Sequence, residues 1–170
     1  METGFIRAEA DELQYNLHIM LRFDLERSLI TGDLKVPDIE NAWNERFESD
    51  FGYKVEKPSL GVLQDVHWAA GAFGYFPTYT LGNIYAGCLY KKIRNAVPNL
   101  DESLSQGDVS SATAWLVENI HIYGSLFEAR ATVEKATGSD VSVKPFLTYI
   151  MEKYTDLYTC LLYTSDAADE

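Results

Sequence analysis

Leu13-Gln14-Tyr15-Asn16-Leu17-His18-Ile19-Met20-Leu21-Arg22-Phe23-Asp24-Leu25-Glu26-Arg27-Ser28-Leu29-Ile30-Thr31-Gly32 sets the class of the fold. Leucine recurs every four residues with Met20 alongside, which is close to a helical period and unlike the alternation of a strand. Gly32 supplies a C-terminal stop. Read outward in both directions, the pattern predicts a helix from Ile6 to Thr31.

The same reading downstream predicts a second helix opening near Pro37-Asp38, with Ile39, Trp43 and Phe47 on one face before Gly52. Residues 53–60, which contain Lys57-Pro58-Ser59, read as an extended connection. Pro77 opens another helix, in which Leu81, Ile84, Tyr85, Cys88 and Leu89 form an apolar face that ends before Pro98. A short helix from Leu100 to Gln106 stops at Gly107, and Ser110 to Tyr123 forms the next, closed by Gly124. Ser125-Leu126-Phe127-Glu128 has the spacing of a capping box, in which hydroxyl and carboxylate satisfy each other's free backbone donors, and the helix it opens runs to Gly138. Pro145 to Tyr158 is the last. Short links and no convincing alternating strand make the class all-α.

At 170 residues the chain suits one domain with a real core, rich in aromatic side chains. A net charge of −12 argues against a sequence-independent nucleic-acid binder, since phosphate binding needs clustered Lys and Arg, and Lys91-Lys92 with Arg94 is too short a cluster. Cys88 and Cys160 have no metal-ligand spacing. No window approaches a membrane span, and Met1-Glu2-Thr3-Gly4-Phe5 lacks a signal-peptide layout, so a soluble, cytoplasmic protein is expected. Residues 159–170 read as a non-native tail derived from a sequencing adapter, which leaves 1–158 as the folded part.

Chemistry-bearing side chains concentrate between Gly61 and Tyr79. Gln64, Asp65, His67, Trp68, Tyr75 and Tyr79 fall together here, and the glycines would let backbone approach a ligand closely. The plain alternatives are a polar network fixing a loop and core tyrosines with satisfied hydroxyls. Asp65-x-His67 is a weak metal signal, and His18 and His121 read as core histidines more readily than as a third ligand. Upstream, Arg7 and Asp11 lie four apart, either as a surface ion pair or with Asp11 steadying an Arg7 fork that is offered to a carboxylate. The sequence contains no HExxH, no nucleophile elbow and no phosphate loop.

Ile6-Arg7-x-x-Ala10-Asp11 and Gly61-x-x-Gln64-Asp65-x-His67-Trp68 resemble two signature motifs of the carboxypeptidase Taq family of metallocarboxypeptidases. The similarity extends through Tyr15-Asn16-Leu17-His18, Gly74 to Tyr79, Ala136-Thr137-Gly138 and Pro145-Phe146-Leu147, and covers residues 5–158. The resemblance implies a cytoplasmic, mostly helical, usually homodimeric peptidase that removes single residues from peptide C-termini with broad preference. It implies a Zn²⁺ or Co²⁺ held by the two histidines of an HExxH and a later Glu, all upstream of this segment, with the HExxH Glu activating water. The chain is then expected to be a C-terminal helical portion forming the substrate-binding wall of the cleft, with no metal ligand of its own.

Carried onto this sequence, the resemblance gives Arg7 the substrate's terminal carboxylate. His67 would help hold that carboxylate or the scissile carbonyl. Tyr79, with Tyr75 as the second choice, would donate to the oxyanion, while Gln64 and Asp65 orient His67. The isolated chain is expected to lack peptidase activity and to aggregate. Two other readings stand beside this one: a metal-free helical module that binds peptide C-termini through Arg7 and His67, and a structural domain with no site.

Overall fold

Asp11 determines where the first long helix begins. Its carboxylate accepts the Gln14 backbone N–H at 2.8 Å, and a side chain that satisfies a free donor in this way marks an N-cap. In the computed structural model, which describes residues 4–166 and side chains to Thr159, α1 is Glu12–Thr31 and the segment before it is not part of the helix. A single 3₁₀ turn at Arg7–Glu9 leads into extended Ala10, so Arg7 and Asp11 do not share the helical face expected of them. α1 ends at Gly32 as predicted.

The leucine row does not define the buried face of α1. Four residues advance a helix by just over one turn, so such a row drifts about 40° at each step. Leu21 and Leu25 are buried, while Leu13 is exposed. Gln14, His18, Arg22 and Glu26, a second row at the same spacing, are all buried.

The chain divides into two units, residues 1–81 and 82–170. In the first, a 3₁₀ turn at Val36–Asp38 leads into α2, Ile39–Phe51, which packs on α1. Leu21, Leu25, Trp43 and Phe47 form the core, with Phe5, Phe51, Tyr53, Val55, Val62 and Trp68 packed around them. Aromatic contacts bind the layer, with Phe47 stacked on Phe51 at 4.4 Å and Phe5 edge-on to Tyr53 at 4.8 Å. Burying side chains of this size stabilises by about 1.5–3 kcal/mol each. The connection at 53–60 ends in a 3₁₀ turn, Pro58–Leu60.

α3, Pro77–Ala96, starts at the proline that predicted it, and the division between the units falls within it. The second unit continues with α4 (Leu100–Ser105), α5 (Ser110–Asn119), α6 (Ala129–Thr137) and α7 (Lys144–Asp166). Cys88, Ile93, Leu100, Val133, Ala136 and Ile150 are its buried apolar side chains. A Cβ on Gly87 would lie 2.7 Å from the Phe146 Cα, so α3 and α7 meet there at backbone contact.

Two further helix boundaries differ from expectation. α5 stops at Asn119 and a separate 3₁₀ turn covers His121–Tyr123, while α6 is preceded by Glu128 with no side-chain cap. The Ser125 box does not form because the chain turns at Tyr123, whose carbonyl accepts the Leu126 N–H at 2.9 Å, and the helix begins only after Glu128. α7 takes in part of the stretch 159–170 set aside as a tail, and residues 167–170 lie outside the described residues. No helix among the described residues is long and apolar enough to cross a membrane.

Candidate functional site

The stretch from Gly61 to Phe76 is irregular, and its shape is set by its own turns. Ala70, Gly71 and Ala72 donate backbone N–H groups to the carbonyls of Val66, Trp68 and His67. Gly71 and Gly74 have φ of +74° and +78°, a conformation that side-chain-bearing residues rarely adopt. Gly61 serves a different purpose: a Cβ there would lie 2.9 Å from Val55 Cγ1 and 3.3 Å from Trp43 Nε1. Gly71 and Gly74 thus shape turns, and Gly61 admits the core.

Gln64 ties this loop to the N-terminal segment. Its Nε2 donates to the carbonyls of Phe5 and Leu60, each at 3.0 Å, and its Oε1 accepts the Arg7 backbone N–H at 2.8 Å. Arg7 is thereby brought to Asp65, 58 residues away in the chain. Its Nε and Nη2 donate to Asp65 Oδ1 at 3.1 and 2.7 Å, and Nη1 donates to the Tyr15 hydroxyl at 2.9 Å. Asp65, and not Asp11, is therefore the carboxylate that holds Arg7, because capping α1 commits Asp11 to the Gln14 N–H.

The other oxygen of Asp65 belongs to Arg22, a residue the sequence reading did not single out. Arg22 Nε donates to Asp65 Oδ2 at 2.7 Å, Nη2 stands 2.6 Å from the same oxygen, and Nη1 donates to the His18 carbonyl at 2.7 Å. The Arg22 side chain is fully buried, with its guanidinium 4.6 Å from the Trp43 ring centroid and 5.3 Å from that of Phe76. Glu26, one turn on, accepts the Trp68 indole N–H at 2.8 Å. The only trace of these groups in the sequence is the row Gln14, His18, Arg22, Glu26 at helical spacing inside an apolar helix.

Burial opposes charge on Asp65, but the hydrogen bonds and charges of Arg7 and Arg22 hold its carboxyl below the usual range. Burial pulls the Arg22 guanidinium down to about 10 against the pull of Asp65. For Arg7, burial is outweighed by Asp65 and its pKa stays above the ordinary value. All three are ionised at neutral pH.

His67 lies beside this trio. Its ring packs on Phe76 at 4.4 Å, its Nε2 shares a hydrogen bond with the Tyr79 hydroxyl at 3.0 Å, and its Nδ1 is 3.8 Å from Asp65 Oδ1. The Arg7 guanidinium lies 5.0 Å from the Tyr79 ring centroid. Tyr75 is half exposed, its ring 5.6 Å from that of His67 and 5.5 Å from that of Tyr79. Arg7, Gln64, Asp65, His67, Tyr75 and Tyr79 are thus brought together, and Asp11 joins them only through the helix it caps.

The histidines do not converge. His18 is buried against Phe51 at 4.5 Å, and burial followed by the charge of Arg22 lowers its pKa to about 4, whereas His121 is exposed and belongs to the other unit. Among the described residues no three His, Cys, Asp or Glu side chains are grouped to hold a metal ion.

Comparison with known proteins gives these geometries a context. A family model described as carboxypeptidase Taq (M32) metallopeptidase matches residues 1–154. The chain is 43% identical over 158 residues to thermostable carboxypeptidase 1 of Thermus thermophilus, covering 93% of this chain and 31% of that protein. It is 38% identical over 157 residues to carboxypeptidase 1 of Bacillus subtilis, covering 92% and 31%. Among solved structures, the M32 carboxypeptidase of Deinococcus radiodurans R1 superposes with a TM-score of 0.87 at 38% identity, covering 92% of this chain and 32% of that one. Metallocarboxypeptidase 1 of Trypanosoma cruzi superposes with a TM-score of 0.86 at 34% identity, covering 91% and 33%. The chain spans about 31% of the length of the curated relatives it matches.

Proposed function

The chain belongs to the carboxypeptidase Taq (M32) metallopeptidase family, and from that premise we propose that residues 5–81 form one wall of a site that releases single amino acids from peptide C-termini. The observation that carries this is the convergence of Arg7, His67 and Tyr79: a guanidinium 5.0 Å from a phenol ring whose hydroxyl bonds an imidazole at 3.0 Å. Cationic and neutral donors aimed at one place suit a substrate that carries a carboxylate and develops an oxyanion.

Arg7 receives the terminal carboxylate. Three of its five N–H groups are engaged by Asp65 and Tyr15, which fixes the plane of the fork, and the other two have no partner among the described residues. Tyr79 donates to the oxyanion, with Tyr75 as the neighbouring second phenol. Gln64 and Asp65 position Arg7 and His67, and Asp11 fixes the start of the helix that presents Tyr15.

His67 orients the Tyr79 hydroxyl through their shared hydrogen bond. Asp65 near Nδ1 favours the tautomer with the proton on that nitrogen, which leaves Nε2 to accept from the Tyr79 hydroxyl. A metallopeptidase family implies a metal, which we read as zinc or cobalt and which would supply the activated water, but the described residues do not fit such an ion and none of them is assigned to it.

The test uses a family enzyme carrying this segment as its matching third. Amidating a substrate's C-terminus is expected to lower kcat/KM roughly ten- to a hundredfold, as loss of a charged hydrogen bond would. Equal cleavage of free and amidated peptides would rule the reading out.

A further inference from the structure

Arg7 is already ion-paired to Asp65, which raises the question of how it could attract a second carboxylate. Asp65 also meets Arg22, one guanidinium at each oxygen, at 2.7 and 2.6 Å. Two cations share one anion, so the cluster keeps a net charge of +1. The distribution of that charge is unequal in accessibility: Arg22 is fully buried between Trp43 and Phe76, while Arg7 retains 11% exposure of its side chain next to Tyr79 and His67. Glu26, the acidic residue one turn along α1 from Arg22, directs Oε1 to Trp68, and no ion pair joins it to Arg22 among the described residues.

We propose that Arg22, which no ligand can reach, is the positioning residue that keeps Arg7 receptive to a carboxylate, by drawing off the charge of Asp65 from behind. The inference rests on the carboxylate role proposed above for Arg7. With Arg22 neutral, Asp65 would balance Arg7 alone, and an incoming carboxylate would meet a cluster of net charge zero. An apolar side chain in place of Asp65 would leave Arg7 its charge but remove the acceptor that fixes its plane, an acceptor that a neutral amide carbonyl at that position retains. The three-membered arrangement retains both the orientation and the charge.

The count of charges supplies a test that a purely structural role would not satisfy. In a family enzyme carrying this segment, an uncleavable peptide is used as a competitive inhibitor in free-acid and C-terminally amidated forms, and the ratio of the two inhibition constants is read. The unaltered enzyme is expected to favour the free acid by about tenfold or more. Arg22→Met, which brings the net charge to zero, should collapse that ratio toward one, and Arg22→Lys should keep most of it. Arg22→Met combined with Asp65→Asn returns the net charge to +1 and should recover the preference, although it removes two members of the network.

A double variant no better than Arg22→Met would overturn the proposal, as would an Arg22→Met enzyme that keeps its preference. If Arg22→Met fails to fold, Asp65→Asn alone takes over, because it raises the net charge to +2 and should strengthen the free-acid preference, whereas a loss of preference counts against the idea. Absence of any preference in the unaltered enzyme would instead remove the carboxylate role of Arg7 itself, so the two failures are distinguishable.

Discussion

His18 shows how much one buried side chain can determine. Both of its ring nitrogens are sealed from water with no partner in good hydrogen-bond geometry among the described residues, and its pKa is lowered to about 4. Between pH 6.5 and 4 the unfolded chain binds a proton there and the folded chain does not, so this residue's stabilisation is complete above pH 6.5 and declines as the pH falls to about 4. The effect is of order 3 kcal/mol. Asp65, held below its usual range by two arginines, adds a further loss at lower pH. His18→Phe is expected to flatten the pH 4–6.5 slope in urea unfolding while leaving the loss at lower pH in place. At the proposed site, Tyr79→Phe keeps the ring beneath Arg7 and removes the donor, so kcat should fall roughly ten- to a hundredfold with little change in KM, as the initial rates of the intact enzyme would show. At this scale the sequence was legible where residue type dictates chemistry: Asp65, His67 and Tyr79 could be picked out as a cluster. The partner of Arg7 could not, because Asp11 is four residues away and Asp65 is 58, and only the Gln64 amide, bonded to Phe5 and Arg7, shows that the loop folds back onto the N-terminal segment.

Elements were legible in proportion to how locally their ends are determined. α1, α2 and α6 stop at glycine and α3 starts at proline, all signals carried by the residue itself. The start of α1 is also local, through the Asp11 cap, yet it was hidden by the helical residues before it, which a hydrogen bond from Arg7 to Gln64 holds in a 3₁₀ turn. Asp11→Ala should cost about 1 kcal/mol in urea unfolding, and a change well under 0.5 kcal/mol would mean that packing alone positions α1. The meeting of α3 and α7 rests on the absence of a side chain. Gly87→Ala puts a methyl group 2.7 Å from the Phe146 backbone, where no rotamer change can relieve it, so the helices must separate. The expected cost is about 1–3 kcal/mol, whereas Gly82→Ala in the same helix, with nothing within 4 Å, should be neutral or slightly stabilising in parallel melts.

For the molecule as a whole, the two readable quantities are how much apolar surface remains outside and how much of its relatives it spans. Met20, Phe23 and Ile30 on α1, Leu63, Val66 and Phe73 in the site loop, and Leu126, Leu147 and Met151 in the second unit are all exposed. Isolated exposed hydrophobes are ordinary, but here they recur along both units of a chain that covers 31% of the length of its carboxypeptidase relatives. Charge opposes association, since a net −12 makes copies repel, but salt screens that repulsion within about 10 Å at 0.1 M while leaving apolar attraction in place. The balance predicts that the 170-residue chain is monomeric at low ionic strength and self-associates as salt is raised. Sedimentation velocity across a salt series reads this directly. A chain that stays monomeric at high salt would show that these side chains are scattered rather than joined into a surface that needs covering.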